Sequence, residues 1–129
     1  MPPRRPSASD PKRVAADRFG RWAEWRCVWR LRLTGHRVLA RRLRTPVGEI
    51  DIVARRGGTL LFIEVKARAT VDDAALALTE SQLRRIARAA EAFVARHPAL
   101  ADHAMRFDAM YVTPRGWPVH ATDAWRPGS

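Results

Sequence analysis

The chain has no asparagine, one cysteine (Cys27), and only two lysines, Lys12 and Lys66, among its 24 basic residues. Without asparagine there is no N-glycosylation acceptor, and a lone cysteine cannot close an internal disulfide, so nothing marks the chain for an oxidising compartment. No apolar run approaches the roughly 20 residues a spanning helix needs. The segment Met1-Pro2-Pro3-Arg4-Arg5-Pro6 also lacks the apolar stretch of a secretory signal. A cytoplasmic protein with no membrane association is the expectation. Acidic residues are scarce as well: 13 Asp and Glu against 24 Lys and Arg give a formal charge of +11, a footprint suited to a polyanion such as nucleic acid. The histidines His36, His97, His103 and His120 are scattered without ligand spacing, and neither a phosphate-cradling glycine loop nor a dinucleotide fingerprint is present.

At 129 residues the chain fits one domain, long enough to bury roughly two-thirds of its unfolded surface. Residues 1–12, rich in Pro, Arg and Ser, read as a flexible basic N-terminal arm, 13–125 as the domain, and 126–129 as a C-terminal tail. A helix is expected from about Pro11 to Thr34, stopped by Gly35, with Gly20, Ala23, Cys27 and Leu31 at helical spacing toward a sheet. Trp22, Trp25 and Trp29 fall on a neighbouring arc. Burial in the core or against a partner subunit is the favoured reading for them, ahead of stacking on bases. Strands are expected over His36–Arg44, Glu49–Arg55 and Thr59–Ala67, forming a meander through turns at Thr45-Pro46-Val47-Gly48 and Arg56-Gly57-Gly58. After a loop, Thr79 and Gln82 offer a capping box for a helix running to Arg96 or His97. Two strands follow, Met105–Thr113 and a short edge strand over Trp117–Ala121. The fold class is α/β with a mixed sheet: helix, three-stranded meander, crossover helix, two strands. The crossover places the Met105 strand parallel to the Leu60 strand.

Alternation along a strand puts Glu49, Asp51 and Val53 on one face and Ile50, Ile52 and Ala54 on the other, while Leu60, Phe62, Glu64, Lys66 and Arg68 share a face. Across an antiparallel pair closed at Arg56–Gly58, Asp51 and Glu64 come together at the end remote from the turn. Lys66 joins them. Arginine fills nearly every other basic position, so a lysine here points to a site that uses a compact ammonium with rotatable donors rather than a planar guanidinium. Like charges inside a sheet are costly unless a cation or a proton holds them. Oxygen donors without a histidine cluster favour Mg²⁺ or Mn²⁺. Asp51, Glu64 and the Val65 backbone carbonyl are the expected ligands, with Glu24 and Glu49 as further acids, and the chemistry they point to is phosphodiester hydrolysis. The alternative is structural: Glu64 and Lys66 form an ordinary ion pair and Asp51 pairs with an arginine.

The segments Gly48-Glu49-Ile50-Asp51-Ile52-Val53-Ala54 and Leu61-Phe62-Ile63-Glu64-Val65-Lys66-Ala67-Arg68 resemble the signature of the YraN family of small bacterial proteins. That family is similar to the PD-(D/E)xK nuclease superfamily and to the archaeal Holliday-junction resolvases within it. The likeness extends from about Arg18 to Trp125; Gly20, Ala23-Glu24, Gly35 and Arg106-Phe107-Asp108 also match. The proline that precedes the superfamily's first acid is replaced by Ile50. The resemblance implies a restriction-endonuclease-like core, with Asp51, Glu64 and Lys66 as the catalytic centre and Glu24 as an accessory acid.

Arg68, Gln82, Arg84, Arg85 and Arg88 are candidate nucleic-acid contacts, set against ordinary solvation or helix capping. Arg41, Arg42 and Arg44 form a second basic group, and Asp108 in mid-strand calls for an arginine partner. The functional expectation is an Mg²⁺- or Mn²⁺-dependent endonuclease acting on DNA rather than RNA, including branched or repair intermediates. Its alternative is a non-catalytic nucleic-acid-binding module of a repair, recombination or RNA-associated complex. A third reading is a homodimer built through the tryptophan stripe.

Overall fold

A computed structural model describes residues 11–127, and their side chains from residue 20 onward; most of the expected N-terminal arm lies outside the described residues. Helix α1 (Pro11–Leu33) is followed by strands β1 (Arg37–Thr45), β2 (Gly48–Arg56) and β3 (Thr59–Ala67). Next come the short helix α2 (Val71–Leu76), helix α3 (Glu80–Arg96), a 3-10 turn at Pro98–Leu100, and strands β4 (Ala104–Val112) and β5 (Val119–Trp125). The sheet order is β1-β2-β3-β4-β5, with β3 and β4 parallel and every other neighbouring pair antiparallel. This is the expected mixed α/β order with one addition. The loop after β3 contains α2, opened by Thr70, whose side chain accepts from the Asp73 N–H.

Each helix ends or begins where its local chemistry dictates. Gly35, at φ 82°, lets α1 close with the Gly35 and His36 N–H groups donating to the Arg32 and Leu31 carbonyls. An L side chain would be strained at that φ. At the start of α3 the expected capping box is complete, with the Gln82 N–H on Thr79 Oγ1 and the Thr79 N–H on Gln82 Oε1.

The two faces of the sheet carry separate cores. Ala23, Cys27, Val28 and Leu31 of α1 pack on Ile52, Ala54, Leu61, Ile63, Met110 and Val112. Ile86, Ala89, Ala90 and Phe93 of α3 pack on Ile50, Val53, Leu60, Phe62 and Phe107. Ile50 and Ile52 therefore lie on opposite faces, which corrects the simple alternation expected for β2. The cause lies in both strands: Arg41 pairs with Ile52 and Leu43 with Ile50, so one residue on each side, Arg42 and Asp51, occupies the place where the ribbon turns over. Arg42 takes φ 49° to do this. Asp51 is thereby set at the seam between the two faces.

For the tryptophans the structure removes one half of the expectation, burial in the core. Trp22, Trp25 and Trp29 are 42%, 46% and 53% exposed, so they are not core residues. At 100° per residue they point away from the sheet, opposite Cys27 and Leu31.

β5 begins two residues later than expected and continues to Trp125, through a bulge opposite Asp108. Asp108 is fully buried and accepts hydrogen bonds from Arg106 Nε and Nη2, from His120 Nε2 and from the Asp123 N–H. Burial pushes its pKa up, but the hydrogen bonds from His120, Arg106 and the Asp123 amide outweigh that and bring it down to about 2. The carboxylate contributes stability fully above the ordinary value of 3.8 and loses it as pH falls toward 2. At 1.4 kcal/mol per unit the contribution is about 2 kcal/mol. Asp108→Ala is expected to cost about 3 kcal/mol, because the four donors on Arg106, His120 and Asp123 lose their acceptor. Urea denaturation at pH 7 and at pH 2.5 checks both, with the gap between wild type and variant narrowing at the lower pH.

Candidate functional site

The ladder between β2 and β3 stops at Ile52–Ile63. Beyond it the strands splay, and the side chain of Asp51 takes over from the backbone: its Oδ2 accepts the Val65 N–H at 2.8 Å. The carboxyl groups of Asp51 and Glu64 open into the same cleft, and the Asp51 charge is felt at Glu64. Lys66 Nζ lies 3.4 Å from Glu64 Oε1, both side chains only 13% exposed. The three groups expected to converge do so.

Their electrostatics follow from burial. Desolvation pushes Asp51 above the usual carboxylate range, opposed first by the hydrogen bond from the Val65 N–H. Desolvation, then the Asp51 charge, raise Glu64 to about 8, against the pull of Lys66. Two acids that resist ionising side by side form a site with spare affinity for positive charge. Cys27 also senses Asp51, but burial holds its thiol near 12, so it supplies no thiolate.

Asp51 lies between two clefts. One, of about 520 Å³, is walled by Gly20, Ala23 and Glu24 of α1 and by Arg42, Arg44, Glu49, Asp51 and Val65 to Arg68. The other, of about 310 Å³, is lined by Gly48, Glu49, Asp51, Glu64, Gln82, Arg85 and Ile86. α3 can come this close because position 48 is glycine: a Cβ there would stand 3.2 Å from the Arg85 carbonyl oxygen.

The other expected residues are distributed as follows. Glu24 reaches the first cleft, but its carboxylate is bound by Arg41 Nε at 3.2 Å and Arg42 Nε at 2.8 Å. Glu49 pairs with Arg44 at 3.2 Å. Among the described residues no group of three or more His, Cys, Asp or Glu side chains is gathered to hold a metal. The acids at the centre are Asp51 and Glu64, and Val65 engages Asp51 through its N–H. Arg68 lines the first cleft. The basic group on α3 divides: Arg85 lines the cleft of the acid pair and donates to Ser81 Oγ, while Arg84 and Arg88 line a separate groove with Trp125 and Arg126. Gln82 serves both as helix cap and as cleft wall.

One half of the structural alternative holds: Glu64 and Lys66 are paired as it expected, but Asp51 accepts from the Val65 N–H rather than from an arginine. Two features carry no sequence signal. His36 and His120 stand edge to face at 5.7 Å although 84 residues separate them. Arg26 lies 4.4 Å from the Trp22 ring centroid and 5.9 Å from that of Trp117, while donating to the carbonyls of Thr113 and Gly116. No helix among the described residues is long and apolar enough to cross a membrane.

Comparison with known proteins agrees with the motif. Residues 23–112 match the model of the uncharacterised protein family UPF0102, a span that contains Glu24, Asp51, Glu64 and Lys66. A UPF0102 protein of Parvibaculum lavamentivorans is 54% identical over 114 residues, covering 88% of this chain and 86% of the relative. UPF0102 proteins of Bradyrhizobium diazoefficiens and Nitrobacter winogradskyi are each 51% identical, covering 93% and 88% of this chain and 90% and 96% of theirs. With the match spanning most of the domain and the whole acid-lysine cluster, the chain belongs to UPF0102, the YraN family of small bacterial proteins.

Proposed function

We propose that this protein is an endonuclease-like phosphodiester hydrolase that acts on DNA with Mg²⁺ or Mn²⁺, built on a restriction-endonuclease-like core. The observation that carries the reading is the splayed end of β2 and β3, where the carboxyl groups of Asp51 and Glu64 meet in one cleft beside Lys66. The element order and the parallel β3–β4 pair are consistent with that core.

The donor set fits a hard divalent cation. Two carboxylates, a neighbouring backbone carbonyl at Val65 and open cleft suit Mg²⁺, which binds through one or two carboxylates and keeps much of its water or takes substrate oxygens. Such an ion, when bound, polarises the scissile phosphate and acidifies the attacking water. The protein's own groups do the rest. The Val65 N–H fixes the Asp51 carboxylate, and Glu64 holds the Lys66 ammonium at the cleft, where it meets charge developing on the phosphate. Arg42, Arg44 and Arg68 line the approach for flanking phosphates. Glu24 acts by placing Arg41 and Arg42.

A second reading, a nucleic-acid-binding module that does not cut, is favoured by the neutralisation of Glu24 and Glu49 by arginines. Incubating the protein with labelled linear, flapped and four-way DNA in Mg²⁺, Mn²⁺ or EDTA separates the two. The proposal expects product in either metal and none in EDTA. Tight, salt-sensitive binding without product in any metal supports the module.

A further inference from the structure

We propose that the outward face of α1, together with Trp117, binds unpaired nucleotides, so that the substrate carries a single-stranded segment next to the cleaved bond. This extends the nuclease reading and rests on it for the position of the bond. Trp22, Trp25, Trp29 and Trp117 are all between 42% and 53% exposed, although tryptophan is the side chain with most to gain from burial. An exposed aromatic cluster of this size marks a binding surface.

Three observations select the occupant. The first is order. Arg26 sits over Trp22 and near Trp117, and Arg41 lies 4.4 Å from the Trp25 centroid. Arg26 is itself tied to the carbonyls of Thr113 and Gly116. The rings of Trp22, Trp25 and Trp117 are thus each braced by an arginine before any ligand arrives, as a stacking platform requires. The second is charge. Around the rings α1 carries Arg21, Arg26, Arg30 and Arg32, and the one acid of this part of the helix, Glu24, is buried. Apposing two copies of this face would set like charges together, whereas a polynucleotide supplies both flat apolar groups and negative charge. The third is continuity. Arg41 spans Trp25 and Glu24, and Glu24 walls the cleft that holds Asp51 and Lys66. A strand with its phosphate at the acid pair meets the first tryptophan without leaving the protein surface.

Wild-type protein in EDTA, titrated with a fluorescent 20-nucleotide oligo-dT and separately with a 20-base-pair duplex, tests the inference. Oligo-dT is expected to quench the intrinsic tryptophan fluorescence. The double substitution Trp25→Leu with Trp29→Leu is expected to weaken oligo-dT binding about tenfold or more, leave duplex binding within about twofold and leave the salt dependence of both unchanged. Trp29→Tyr, which keeps a ring, should retain most of the affinity. Circular dichroism checks that the variants fold, as outward-facing positions allow. Equal losses for oligo-dT and duplex, or no loss for either, overturn the inference. So does a shift from dimer to monomer in sedimentation with oligo-dT affinity intact, which would make this face a self-interface. Metal-dependent cleavage by wild type alongside unaffected tryptophan variants sinks the inference and leaves the nuclease reading. Tryptophan-dependent oligo-dT binding with no cleavage in any metal does the reverse.

Discussion

Replacing Lys66 with methionine is expected to lower the rate of metal-dependent cleavage by about 10²–10³-fold, the loss typical when one group that stabilises transition-state charge is removed. The side chain is 13% exposed, with its ammonium on Glu64 at 3.4 Å and its stem in the cleft wall, so an unbranched apolar replacement keeps the packing. Lys66→Arg is the sharper variant. It preserves charge but puts a wide planar fork where a compact ammonium sits between Glu64 and the cleft, and it is expected to recover little of the rate. Single-turnover kinetics at saturating metal separates this from a binding defect, since arginine at position 66 retains affinity for phosphate. Full activity in Lys66→Arg would mean that position 66 supplies charge and no geometry.

Glu64→Gln should make the metal-free protein more stable while removing its activity. In the folded chain Glu64 keeps its proton to about pH 8, whereas the unfolded chain releases it near the ordinary 4.5. Between those values the folded state binds more protons than the unfolded one, so stability falls as pH rises and the full penalty is present above pH 8. At 1.4 kcal/mol per unit the full gap is about 5 kcal/mol, and screening by water in the open cleft leaves a penalty on the order of 2–4 kcal/mol. Glutamine ionises at neither end of this window and can still hydrogen-bond Asp51. In EDTA the variant is expected to melt about 5–10 °C above wild type at pH 8.5 and close to it at pH 5. Thermal melts at the two pH values check the sign. A variant that melts below wild type at pH 8.5 would show that Glu64 is held by contacts worth more than the cost of ionising it.

Much of this arrangement was legible from residue order because the determinants are local. The apolar run from Leu60 to Ile63 reads as a buried strand; Gly35 and the Thr79–Gln82 pair mark helix ends through backbone hydrogen bonds that span only a few residues. The meeting of Asp51, Glu64 and Lys66 followed from one hairpin and from the period of two along β3. What was not legible depends on partners distant in sequence. The turning-over of β2 at Asp51 requires Arg42 in the preceding strand to take a positive φ, and neither residue advertises it. Helical spacing groups Trp22, Trp25 and Trp29, but only the position of the sheet decides whether that arc faces inward. Helix α2 is too short, at six residues, to show a period. Glu24 was legible as an acid near the cleft, whereas its capture by Arg41 and Arg42 arises from the pairing of α1 with β1.

Binding of Mn²⁺ followed by the loss of the free-ion electron paramagnetic resonance signal addresses the acid pair directly, without requiring the right substrate. The account predicts saturable Mn²⁺ uptake by wild type, competed by Mg²⁺, and its loss in both Asp51→Asn and Glu64→Gln at a pH where both variants are folded. No saturable uptake by wild type, or uptake unchanged in the two variants, would contradict it.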